Sequence, residues 1–101
     1  MADLDKIRDA VLELLSPYGV KRIALFGSVA RGEDTPDSDI DILVKLESPH
    51  PRPLGFITWA GIELELAERL GQKVDLVSEA ALSRHIRPYV EEEIVLYGKA
   101  G

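Results

Sequence analysis

The chain has 101 residues, 46% of them hydrophobic and 30% charged, which is the composition of one globular domain with a modest core. Its formal net charge of −6 argues against sequence-independent binding to a nucleic-acid backbone. No apolar run nears the ~20 residues that span a bilayer, and the absence of Cys removes disulfides, thiolate zinc sites and cysteine nucleophiles.

The opening residues MADLDKIRDAV carry acids and helical periodicity rather than the apolar stretch of a signal peptide, so a cytoplasmic location is expected. Leu4, Ile7, Val11, Leu14 and Leu15 recur at helical spacing over Asp3 to Leu15. Asp3 and Asp5 suit the positive end of that helix. Ser16-Pro17-Tyr18-Gly19 breaks it. Lys21 to Phe26 reads as a buried strand, punctuated by Gly27 and Ser28, with one helical turn over Val29-Ala30-Arg31 before Gly32. A polar turn from Glu33 to Ser38 leads into a second strand, Asp39 to Leu46, with Ile40 and Ile42 opposite Asp39 and Asp41.

The three prolines between Ser48 and Pro53 predict a loop. Thr58 to Leu70 predicts a helix with Trp59, Ile62, Leu66 and Leu70 on its apolar stripe and Glu63, Glu65, Glu68 and Arg69 mostly outside; Gly71 ends it. A third strand follows over Lys73 to Val77. Ser78 is suited to cap a short turn reaching Leu82. Arg84 to Glu92 is expected to be helical in part, with Pro88 in its first turn, and Ile94 to Tyr97 forms a last strand. One domain over residues 1–101 is expected, of the α/β class, with sheet and helices in layers.

Chemistry gathers at three places. Residues two apart on a strand share a face, so Asp39 and Asp41 set two carboxylates side by side, a repulsive arrangement that a cation relieves. Carboxylate oxygens suit a hard cation such as Mg²⁺, which completes its shell with water and substrate phosphates. Asp75 supplies a third carboxylate if its strand lies beside the second. At the Gly27-Ser28 turn, glycine admits a ligand close to the backbone, the helix start offers N–H groups to an anion, and the Ser28 hydroxyl adds a donor. A phosphate cradle beside a carboxylate-held cation fits nucleoside triphosphate chemistry. Each feature alone also has a plain reading: an alternating half-exposed strand, an ordinary turn, a solvated strand residue.

Leu25-Phe26-Gly27-Ser28-Val29-Ala30-Arg31-Gly32-Glu33, followed by Ser38-Asp39-Ile40-Asp41-Ile42-Leu43-Val44, resembles the signature of the nucleotidyltransferase superfamily typified by DNA polymerase beta. The nearest likeness is to its minimal form, the MNT domain of prokaryotic toxin–antitoxin pairs. Gly71 to Val77 resembles that family's third-carboxylate strand, and Ile94-Val95-Leu96-Tyr97-Gly98 its C-terminus, so the likeness covers nearly the whole chain. The resemblance implies a small mixed sheet flanked by helices. It implies that Asp39, Asp41 and Asp75 hold Mg²⁺, in two ions, and that Asp39 and Asp41 also bind the triphosphate. Asp75 would help activate the acceptor, and Gly27 and Ser28 would grip the β- and γ-phosphates. It further implies transfer of AMP from ATP to a hydroxyl of a HEPN-type RNase toxin, a tyrosine in some members.

Other residues carry quieter expectations. Arg31 pairs with a helix acid and braces the turn, Ser38 tightens the turn before Asp39, and Lys45 is a solvated charge on the face of Asp41. Trp59 belongs to the core. His50 and His85 do not make a zinc site, and Glu91-Glu92-Glu93 is a solvated helix end. Phe56 and Ile57 offer apolar surface to a homodimer or to a partner, which the sequence does not separate. The catalytic sheet and its helices are expected to use nearly all 101 residues, so the acceptor is expected to be another macromolecule, most simply a protein. The rival reading is an antitoxin that is weak or inactive in catalysis and neutralises its toxin by binding.

Overall fold

A computed structural model describes residues 3–33, 35, 37–47, 54–79 and 93–98. Helix α1 runs Leu4–Leu15 and starts where Asp3 accepts the Lys6 N–H at 3.1 Å, which satisfies one of the donors a helix start leaves open. A 3₁₀ turn, Ser16–Tyr18, leads to strand β1, Val20–Phe26. Then come the short helix α2, Gly27–Ala30, strand β2, Ile40–Leu46, helix α3, Phe56–Leu70, and strands β3, Val74–Ser78, and β4, Ile94–Tyr97. No helix among the described residues is long and apolar enough to cross a membrane.

The four strands form one mixed sheet in the order β3-β2-β1-β4. β1 runs antiparallel to both β2 and β4, while β2 and β3 are parallel. A parallel pair needs a crossover, and α3 supplies it. The mixed sheet with helices is the architecture that the resemblance implied.

One face of the sheet is the core. Ile7, Val11 and Leu15 of α1 and Ile62 and Leu66 of α3 pack on Ile23, Leu25, Ile40, Ile42, Val44, Val74 and Leu76. These are alternate residues of their strands, which is why one face can be apolar while the other is not. Among the described residues the second face buries a small apolar cluster, Ala24 and Leu43, with Phe26 and Val77 packed on it.

Element limits differ from the sequence reading in ways with local causes. α3 begins at Phe56, two residues before the expected start, with Gly55 extended ahead of it and no side chain capping it. α2 begins at Gly27 rather than Val29. Ser78 closes β3 by pairing with Val44 and directly precedes the helical residue Glu79. The proline loop with His50, the turn reaching Leu82, and the helix proposed around Pro88 with His85, Glu91 and Glu92 lie outside the described residues.

Candidate active site

β1 leaves the sheet at Phe26, and the chain turns at Gly27 with φ +70°. That left-handed value favours glycine. Space imposes a second demand: a Cβ at position 27 would run into Asp41 Oδ2 and lie 3.1 Å from Asp41 Cγ. Glycine is therefore required here to admit a carboxylate of the protein itself, a reason the sequence reading did not contain. Ser28, half-buried in α2, closes the turn from below: its carbonyl accepts the Glu33 N–H at 2.8 Å. Arg31 meets Glu33 at 3.3 Å, so its partner is an acid of the following turn, not a helix acid.

The strand pairings carry the acids together. Asp41 is the antiparallel partner of Phe26, next to Gly27, and the parallel partner of Asp75. Residues paired across strands share a face, so Asp41 and Asp75 stand side by side on the face away from the core. Asp39 lies two residues before Asp41, just ahead of β2, with its carboxylate 4.0 Å from Lys73 Nζ. Asp75 and Asp39 are exposed, whereas Asp41 is half-buried. Burial first, then the charges of Asp75 and Asp39, raise the Asp41 carboxyl above its ordinary range, with Arg31 acting in the opposite sense. Among the described residues no three His, Cys, Asp or Glu side chains are gathered tightly enough to enclose a metal ion. The donor set nonetheless has the chemistry of an Mg²⁺ site: all-oxygen, anionic and open to solvent, with an unfavourable charge density that a hard cation would offset.

The surroundings match a known family. Residues 4–100 match the nucleotidyltransferase domain family. The chain belongs to that family. It is 43% identical over 83 residues to the protein adenylyltransferase MntA of Thermococcus cleftensis, covering 82% of this chain and 80% of that protein. It is also similar to a chain in the crystal structure of a toxin–antitoxin with AMP-PNP, with 28% identity and a TM-score of 0.68, covering 90% of this chain and 73% of that one. A third likeness is to a chain in the structure of a tri-AMPylated Shewanella oneidensis HEPN toxin in complex with MNT antitoxin. There the identity is 25% and the TM-score 0.66, over 95% of this chain and 70% of that one. The chain thus shares the nucleotidyltransferase domain with relatives named protein adenylyltransferases.

Several residues that frame the candidate site escaped the sequence reading. The Ser38 hydroxyl accepts the Thr35 N–H at 2.9 Å, as its turn role requires, but Gln72 then ties the turn down. Its amide donates to the Ser38 carbonyl at 2.9 Å and to that of Thr35 at 3.4 Å. Ile40 N–H donates to the Lys73 carbonyl at 2.8 Å. The Gly71-Gln72-Lys73 connection thereby fixes the approach to β2 on which Asp39 sits. Its only sequence signal was a polar residue just ahead of a strand.

Arg22 lies on the same face as Asp41, at the other end of β1, buried and paired with Glu79 at 3.5 Å and with Glu93. Glu93 is exposed, as expected, and is also an ion-pair partner of Arg22. Lys45 is exposed, as expected. Trp59 packs partly against the core and donates its indole N–H to the Leu76 carbonyl at 3.2 Å. Glu63, expected outside, is half-buried and accepts the Leu76 N–H at 2.8 Å. Phe56 and Ile57 are 94% and 91% exposed, beside a groove of about 430 Å³ walled by Leu54, Trp59, Leu76 and Val77.

Proposed function

We propose that this nucleotidyltransferase moves AMP from ATP to a hydroxyl, most simply a tyrosine, of a HEPN-type RNase toxin and so acts as the toxin's antitoxin. The observation that carries the reading is the pairing of Asp41 with Asp75 immediately below the Gly27-Ser28 turn. The named relatives support the choice of AMP and of a protein acceptor.

In this reading Asp39, Asp41 and Asp75 hold Mg²⁺, in two ions, and the triphosphate lies against Gly27 and Ser28. The metal, when bound, neutralises charge on the phosphates and on the departing pyrophosphate. The chain's own groups do the rest. The Gly27-Ser28 turn offers its backbone N–H groups and the Ser28 hydroxyl to the phosphates, while Gly27 makes room for the Asp41 carboxylate beside them. Asp75, exposed beside Asp41, takes the proton of the acceptor hydroxyl. The acceptor oxygen bonds to the α-phosphorus, the bond from that phosphorus to the bridging oxygen breaks, and pyrophosphate leaves with its electron pair. Phe56 and Ile57 are exposed apolar surface and have no part in the chemistry.

Mass spectrometry of a HEPN-type partner incubated with the protein, ATP and Mg²⁺ tests this. An AMP adduct on the partner, lost with Asp39→Asn plus Asp41→Asn, is the expected result. A partner silenced without an adduct would instead support neutralisation by binding.

A further inference from the structure

β3 is an edge strand. Among the described residues it pairs only with β2, and its backbone groups alternate in direction. The Lys73 carbonyl points to β2, where Ile40 donates to it. By the same alternation Asp75 and Val77 face β2, and both backbone groups of Leu76 face outward. An outward N–H and C=O would normally be left to water or to another strand. Here α3 meets both. Glu63 accepts the N–H at 2.8 Å and Trp59 donates to the C=O at 3.2 Å. The two side chains are four apart on α3, one helical turn, so they lie on one face and act together as an acceptor and a donor of a neighbouring strand.

The location gives this contact a consequence. Leu76 adjoins Asp75, and Asp75 is held beside Asp41 only through β3's register on β2. The like charges of these two acids push the edge strand away at this point. Leu76 itself is buried against the core, so apolar packing fixes its side chain while the Glu63 and Trp59 contacts fix its backbone.

We propose that Glu63 and Trp59 are positioning residues that grip the outer side of β3 at Leu76 and so keep Asp75 in register beside Asp41 for nucleotidyl transfer. The proposal rests on the role given to Asp75 above. Neither residue touches the reacting atoms. Their effect passes through the backbone of one strand.

The test combines amide hydrogen exchange at Leu76 with transfer of AMP from ATP to the HEPN-type partner. Glu63→Ala is expected to speed Leu76 exchange about tenfold, the scale of one lost hydrogen bond. It is expected to lower kcat about 10- to 100-fold, the scale of a small misplacement, with KM for ATP kept. Glu63→Gln retains an oxygen acceptor and is expected to restore both. Trp59→Phe keeps the ring and removes the donor, and is expected to act in the same direction as Glu63→Ala. In an Asp75→Asn background, Glu63→Ala is expected to cost no further transfer, because its whole effect runs through Asp75. Unchanged Leu76 exchange in Glu63→Ala would overturn the grip. Faster exchange with full transfer would overturn its catalytic consequence while leaving the proposed function in place. A further loss of transfer in the Asp75→Asn background would show a general structural role instead. Full transfer by Asp75→Asn alone would overturn the reading of Asp75 and the positioning role with it.

Discussion

On the helix-covered face of the sheet, β1, β2 and β3 bury Ile23, Leu25, Ile40, Ile42, Val44, Val74 and Leu76 beneath α1 and α3. On the other face the intervening residues of the same strands include Arg22, Asp41, Lys45 and Asp75, and the buried apolar side chains reduce to Ala24 and Leu43. The two faces differ by a single residue step along the chain. The period of two lets one strand serve both tasks: one set of side chains removes apolar surface from water, and the alternate set concentrates charge where a ligand can reach it. The second face carries an electrostatic cost, visible in the raised Asp41 carboxyl. The first face is what offsets it.

Substitutions should therefore separate by face. The largest effect belongs to the core. Leu66, fully buried in α3, should lose about 2–5 kcal/mol of stability as Leu66→Ala, from lost transfer energy and the cavity left behind. Urea denaturation measures it, and nucleotide affinity of the folded fraction should be unchanged. A loss below about 1 kcal/mol would mean that the face can collapse around the gap.

Asp75→Asn should do the reverse. Transfer should fall about 10²-fold or more, the usual scale for a general base, while ATP affinity and the urea midpoint stay near wild type. If stability changed as much as transfer, the division between the faces would be blurred at β3.

Gly27→Val tests where the two tasks meet. The left-handed φ and the Asp41 carboxylate both oppose a side chain, so about 1–3 kcal/mol of stability should be lost along with ATP binding. Adding Asp41→Ala should recover part of the stability by clearing the contact, and none of the ATP binding. Wild-type ATP affinity in Gly27→Val would place the phosphates elsewhere.

The smallest effect sharpens the electrostatic side of the comparison. The folded-state carboxyl of Asp41 lies above its unfolded value, so the unfolded chain releases that proton first as pH rises. The group's contribution to stability is present below the ordinary Asp range and is lost as pH climbs through the raised value. Asp41→Asn should accordingly be more stable than wild type at neutral pH in Mg²⁺-free buffer. The gap should close on acidification below the model-peptide value of 3.8. Thermal melts across pH measure it, and a gap that grew in acid would contradict the sign.

Much of this was legible because it is local. Helical spacing located α1 and α3, and alternation put Ile40 and Ile42 on the side opposite Asp39 and Asp41. The Gly-Ser turn and the Asp-x-Asp spacing pointed to the nucleotidyltransferase family that the whole-chain match shows. Element ends were less legible. Helix α3 started two residues early, at Phe56 behind an extended Gly55, and α2 at Gly27, because end positions take roles set by their neighbours, and that is where sequence signals are weakest.

Sequence by itself determined which residue types could do the chemistry, since a strand's period and a side chain's functional group travel with the chain. Tertiary structure decided what those residues meet. It set Asp75 opposite Asp41, because parallel register depends on how α3 carries the chain across the sheet. It turned Gly27 into a space for the Asp41 carboxylate and drew Glu63 from the expected outer face onto the Leu76 amide. It also buried Arg22 between Glu79 and Glu93, 57 and 71 residues further along the chain. Each of these contacts joins residues whose separation along the chain says nothing about their distance, so only packing of the whole domain could bring them together.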